Sequence, residues 1–142
     1  MAFREKIAWL TLATMLIAYG FYFGWAGPRV GFGEARMLDI VWTFGPVAVV
    51  HALAVIVGSI LIAVTAVREA NAPADERDRA IARRGSTIGY YVLLTGMILV
   101  GVVMPFTEPA WKIVNTALLA IVIAETVRDG VIVLSYRRGW HG

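Results

Sequence analysis

Residues 113–136 read IVNTALLAIVIAETVRDGVIVLSY, an apolar run closed by Arg137, Arg138 and Gly139. Its length suits a helix that crosses a bilayer, for which about 20 residues suffice. Glu125, Arg128 and Asp129 lie inside it. Ionisable side chains at that depth are tolerated where they face protein or trapped water. The run therefore needs neighbours, and the chain supplies three further apolar runs, 7–25, 40–67 and 85–104.

Composition agrees with that reading. Charged residues make up 16% of the 142, against roughly 25% in ordinary soluble domains. The expected fold is all-α: a single membrane domain over 1–142, built as a bundle of four transmembrane helices near 7–25, 40–67, 75–104 and 109–136. The chain has no cysteine, which excludes disulfides, thiolate chemistry and cysteine-bound metal.

Arg4, Glu5 and Lys6 precede the first run, which exceeds the 7–15 apolar residues of a signal peptide and is followed by no small-x-small cleavage pattern. It reads as a retained helix. Tyr19, Phe21, Tyr22, Phe23 and Trp25 gather at its far end like an interfacial aromatic belt. Gly20 and Gly24 form a GxxxG pair, suited to close helix approach or to a dimer contact. Gly27-Pro28 ends the helix and 29–38 forms an outer loop. Its Val30-Gly31-Phe32-Gly33 lacks the preceding strand and third glycine of a phosphate-binding loop.

Pro46 lies inside the second run and should kink or break it. The span proper then starts at Pro46, and residues 39–44 lie at the outer interface. The polar stretch 68–84 follows. In it Pro73 stops the second helix and Asp75 caps the third, with Asp78 at the capping-box position. The third helix then runs from 75 to 104, with its first two turns in water. Gly85 and Gly89 are a second small-xxx-small pair. Thr107 or Glu108 caps the fourth helix, and Pro109 suits its first turn.

Orientation follows from the basic residues. Arg4, Lys6, Arg68, Arg77, Arg79, Arg83, Arg84, Arg137 and Arg138 fall on one side, and Arg29, Arg36 and Lys112 on the other. The richer side is cytoplasmic, so both termini are inside. The expected location is a bacterial inner membrane.

Two groups of residues could carry function. Glu125, Arg128 and Asp129 share one helix face by their spacing. Counted from Arg137, Glu125 lies about 18 Å into the membrane. The three form an internal ion pair or a proton or substrate site, or else Arg128 and Asp129 snorkel to headgroups. His51, about 7 Å further out on the second helix, joins this buried polar cluster if the helices are staggered or tilted. A His–carboxylate pair could then shuttle protons; otherwise His51 is satisfied locally by a carbonyl or hydroxyl. One membrane histidine makes neither a haem site nor a metal ligand set, so no cofactor is expected. The second group is Asp75, Glu76, Arg77, Asp78, Arg79, Arg83 and Arg84, read as a solvated helix face, a docking surface for a partner protein, or a lipid contact.

Asp75-Glu76-Arg77-Asp78 with Ile81, Arg83 and Arg84, together with Glu125-x-x-Arg128 and Ser135-Tyr136-Arg137-Arg138-Gly139, resembles an uncharacterised family of small prokaryotic four-helix inner-membrane proteins. The resemblance implies the topology and assigns no activity. No serine has a base nearby in sequence, and no paired aspartates or metal-binding histidines appear. The leading expectation is a non-enzymatic accessory, regulatory or assembly subunit acting through its cytoplasmic loop. The alternative is a small transporter or proton-linked channel using Glu125, Arg128 and Asp129. Membrane lipids, a larger membrane complex or a homodimer are the expected partners, and nucleic acid is not.

Overall fold

The computed structural model describes residues 3–26 and 36–139. The expectations for Gly27-Pro28 and for most of the first outer loop fall outside them. The described residues are helical throughout, with no strand. Helix α1 spans Phe3–Phe21 and continues as a π-helical turn, Tyr22–Ala26. Helix α2 spans Met37–Thr65, α3 Glu76–Ile98 and α4 Ala110–Arg137.

Helix α1 begins before its apolar run, so Arg4, Glu5 and Lys6 are helical. Helix α2 is unbroken at Pro46, whose ring is exposed. The missing proline N–H removes one ladder bond there, and the helix continues on both sides. A one-turn helix, Val67–Ala70, leads into the α2–α3 loop. Asp75 then caps α3, its Oδ1 accepting from the Asp78 N–H at 2.6 Å. The far end of α3 widens into a π-helical turn, Leu99–Val103, and closes as a single 3₁₀ turn, Met104–Phe106. Pro105 cannot donate to the Gly101 carbonyl, which interrupts the regular ladder at that point.

The helices alternate in direction. Glu5 meets Arg137 at one end of α1 and α4, Thr126 donates to the Met15 sulfur midway, and Tyr22 donates to Asn115 at the other end. Gly85 and Gly89 of α3 lie against Ile132 and Arg128 of α4, and Gly96 lies against Ala120. Gly58 of α2 lies against Leu10 of α1, and Tyr19 of α1 meets His51 and Phe44 of α2. Both ends of the described chain therefore lie at the same end of the bundle.

Helix α4 packs along both α1 and α3, while α2 packs mainly on α1. The hierarchy follows from side-chain size. Gly85, Gly89 and Gly96 let α3 approach Ala120, Ala124 and Arg128 closely. Gly20 and Gly24 behave differently: a Cβ on either would meet nothing within 4 Å, so this GxxxG pair makes no helix contact among the described residues.

Three stretches are long and apolar enough to cross a membrane: Phe3–Ala26, Leu38–Thr65 and Glu76–Phe106. Within the most apolar window of Leu38–Thr65 no residue is buried by protein. The fourth long helix, α4, carries Lys112, Glu125, Arg128, Asp129 and Arg137 along its length.

Candidate functional site

The shared end of α1, α3 and α4 is tied by polar contacts. Arg4 pairs with Asp78 at 3.3 Å, and the Tyr136 hydroxyl donates to the other Asp78 oxygen at 2.6 Å. Arg77 donates to the Tyr136 carbonyl at 3.5 Å and lies over the Tyr136 ring. Glu5, 9% exposed, pairs with Arg137 at 3.6 Å, and the Arg137 guanidinium covers the Trp9 ring at 5.3 Å. The first turns of α3 are therefore packed against the ends of α1 and α4, where the sequence reading had them free in water. Ile81 in this segment is fully buried, at 0% exposure. A helix that starts with a run of charges thus also contributes a core residue.

Above this rim, between α1, α3 and α4, lies a cavity of about 360 Å³. Arg4, Asp78, Arg79 and Tyr136 line it at the rim end, and Thr11, Arg128 and Asp129 line it further along the bundle. Both Arg4 to Thr11 and Tyr136 to Asp129 are seven-residue steps, about 10 Å of helix each. Among the charged lining groups, Arg4 is paired with Asp78, and Arg128 with Glu125. Asp129 is 4% exposed, and its Oδ2 has no hydrogen-bond partner among the described residues. A buried acceptor without a partner is uncommon in native structures.

Of the four residues read as one buried cluster, Glu125, Arg128 and Asp129 stay together on α4 and His51 stands apart, but only Asp129 of the three is buried. Arg128 pairs with Glu125 at 2.6 Å, and both side chains are 43% exposed rather than buried. The separation of Glu125 from Asp129 is angular. Four residues advance a helix by about 400°, and the remaining 40° turns Asp129 toward α1 while Glu125 stays at the edge. His51 belongs to another site. Its ring stands edge-on to Tyr19 at 5.2 Å, and its Nε2 is buried without a hydrogen-bond partner among the described residues. Helix α1 lies between α2 and most of α4, which keeps His51 from the carboxylates. No group of three or more His, Cys, Asp or Glu suited to a metal ion occurs among the described residues.

The expected docking segment is also divided. Asp75 and Glu76 are exposed at the start of α3, Arg77 and Asp78 are engaged at the rim, and Arg79 lines the rim end of the cavity. Arg83 and Arg84 are exposed on the opposite side of the α3–α4 seam, away from the cavity. The sequence reading missed Glu5 and Trp9. Their signal was an acid between Arg4 and Lys6, with an aromatic one turn further on.

The aromatic belt likewise divides. Phe21 and Trp25 stack on each other, half exposed, whereas Tyr22 is 1% exposed and its hydroxyl donates to Asn115 Oδ1 at 3.1 Å. Tyr22 is a core residue because the chain brings Asn115 and Phe44 to it.

The fold and site define an α-helical bundle with membrane-length helices and a polar cavity at one end. Comparison with family models, with curated proteins and with solved structures found no match.

Proposed function

We propose that this chain is a four-span integral membrane protein with both termini cytoplasmic, and that Asp129 exchanges a proton with the cytoplasm through the cavity. This is the behaviour of a small transporter or proton-linked channel. The observation that carries it is the buried, unpartnered Asp129 oxygen in a cavity leading from the basic rim. Large exposed apolar side chains on every long helix support the membrane setting: Ile17, Trp42, Val64, Val102 and Ile121 are five of them. A soluble monomer rarely carries apolar patches on that scale. The weighting of arginine and lysine toward the shared end supports the orientation.

Reconstitution in liposomes tests the reading. A pH gradient across vesicles containing the parent protein should drive proton-linked flux. Asp129→Asn should abolish it, whereas Glu125→Gln should leave most of it, because Glu125 already has Arg128 and stands at the edge. Absence of flux in the parent under any gradient removes the reading. Since the chain lacks cysteine, single cysteines introduced at Asn71 and Lys112 report orientation. The first should react with an impermeant thiol reagent from the cytoplasmic side and the second from the outside.

An accessory-subunit reading is favoured by a separate observation. The rim contacts hold the start of α3 against α1 and α4, so the exposed Glu76 and Arg83 are held in fixed positions. Purification from the native membrane should then yield a stoichiometric larger partner, and Arg83→Glu should release it. Unchanged capture removes this reading.

A further inference from the structure

On the outward side of the α3–α4 seam, away from the Asp129 cavity, lie two adjoining hollows. One, of about 260 Å³, is lined by Arg84 of α3 and by Leu134, Ser135 and Arg138 of α4. The other, of about 420 Å³, continues from it over the surface of α3 alone, along Arg83, Arg84 and Thr87. Arg84 belongs to both. Among the described residues no carboxylate lines either hollow, whereas Asp78 and Asp129 both line the inner cavity. Of the acids at the start of α3, Asp78, five residues before Arg83, is engaged on the inner side by Arg4 and Tyr136, and Asp75 and Glu76 lie further back.

The geometry suits a phosphate at the edge of a bilayer. By the antiparallel register of α3 and α4, Arg84 is rooted deeper in the bundle than Arg138, with Ser135 between them. Ser135 is 3% exposed, at the back of the hollow, while Leu134, 52% exposed, faces outward beside it. Arginine presents a fork of donors that matches phosphate oxygens. Serine adds a neutral donor, and the exposed apolar wall suits an acyl chain. Basic hollows between membrane helices on the cytoplasmic side meet the leaflet that carries anionic lipid.

We infer that the Arg84–Ser135–Arg138 hollow, extended by Arg83 and Thr87, is a binding site for the phosphate headgroup of an anionic phospholipid. The inference rests on the membrane orientation proposed above. It gives the outward face of the seam a ligand distinct from whatever the Asp129 cavity takes.

The test is a titration of the purified full chain in neutral detergent with short-chain phosphatidylglycerol and, separately, phosphatidylcholine. Bound lipid is counted by native mass spectrometry. This assay has no inside or outside, so a failure of lipid binding is distinguishable from a failure of orientation. The parent should bind phosphatidylglycerol more tightly than phosphatidylcholine by tenfold or more (about 1.4 kcal/mol). Arg84→Gln/Arg138→Gln should lose about 30-fold in phosphatidylglycerol affinity, the scale expected for two basic residues near a membrane surface. Arg84→Lys/Arg138→Lys should retain most of the preference, and its retention also guards against a variant that simply misfolds. Lys6→Gln/Arg68→Gln removes the same charge elsewhere and should bind as the parent does. The inference is overturned if the parent fails to distinguish the two lipids, or if the charge-matched variant loses as much as the double arginine variant. It is also overturned if inorganic phosphate alone displaces the lipid at equal concentration, which would make the ligand a free anion.

Discussion

Gly89 offers the sharpest test of how α3 and α4 are joined. A Cβ built there would stand 2.9 Å from the Arg128 Cβ and 3.2 Å from the Ala124 carbonyl oxygen. Ordinary contact between carbon atoms is about 3.5–4.0 Å. Neither neighbour is the end of a flexible side chain, so no rotamer change relieves the overlap. The helices must separate locally by about 0.5–1 Å, which forfeits a quarter to a half of each affected contact. Overpacking of this kind costs about 1–3 kcal/mol. The substitution Gly89→Ala also gains about 1 kcal/mol of helix propensity, so the net loss should be about 0–2 kcal/mol, and about 1–3 kcal/mol relative to a glycine replaced in open space. Gly20→Ala supplies the control, because its added methyl meets open space. It should be neutral or slightly stabilising. The assay is reversible unfolding in mixed micelles, following helicity against the mole fraction of denaturing detergent. A compensating exchange strengthens the test. A Cβ at Gly96 would stand 2.8 Å from the Ala120 Cβ, so Gly96→Ala should destabilise and Gly96→Ala/Ala120→Gly should recover most of the loss. The packing account is refuted if Gly89→Ala unfolds with Gly20→Ala, or if the exchange recovers nothing.

Three further outcomes follow from the same contacts. Tyr136→Phe removes the donor to Asp78 and should cost about 1–2 kcal/mol in the same unfolding assay; combined with Arg4→Met, it should cost less than the sum of the two, since both act on Asp78. Ile81→Ala, at a fully buried position, should cost about 2–4 kcal/mol, whereas the substitution would be nearly silent on a free solvated arm. Glu125→Gln leaves Arg128 without its carboxylate and should lower the unfolding midpoint, while Glu125→Gln/Arg128→Gln should restore much of it; a double variant no better than the single one would show that the pair is not the reason.

The helical class was legible because apolar run length is a property of sequence alone. The Asp75 cap was legible because capping is local. So was the close approach at Gly85 and Gly89, since a small-xxx-small spacing on a helix has few other uses. The partner of each small pair was not legible: Gly20 and Gly24 carry the same signal and meet nothing within 4 Å. Which side chain an arginine chooses was equally hidden. Arg128 could reach Glu125 or Asp129 by spacing, and the choice depends on which side of α4 is closed by α1. Asp78 shows the same limit. In sequence it belongs to a charged loop, and only the arrival of Arg4 and Tyr136 from the two ends of the chain makes it a rim residue.

Polar content in this bundle tracks enclosure. Helix α2 touches protein mainly through α1. Beyond its first turn it carries no charged side chain, and His51 faces Tyr19 rather than lipid. Helix α4 is covered by α1 on one side and α3 on another, and it carries the midspan charges. Lipid offers no hydrogen bonds, so a carboxylate or guanidinium can persist only on a helix with protein against it. The glycines of α3 are then more than packing devices. By bringing α3 against Arg128 they leave the cavity bounded by α1 and the rim, with Asp129 inside it and Glu125 at the edge. A bulkier α3 would widen the seam and expose Asp129. Stability of the α3–α4 seam and the chemistry of Asp129 should therefore be lost together.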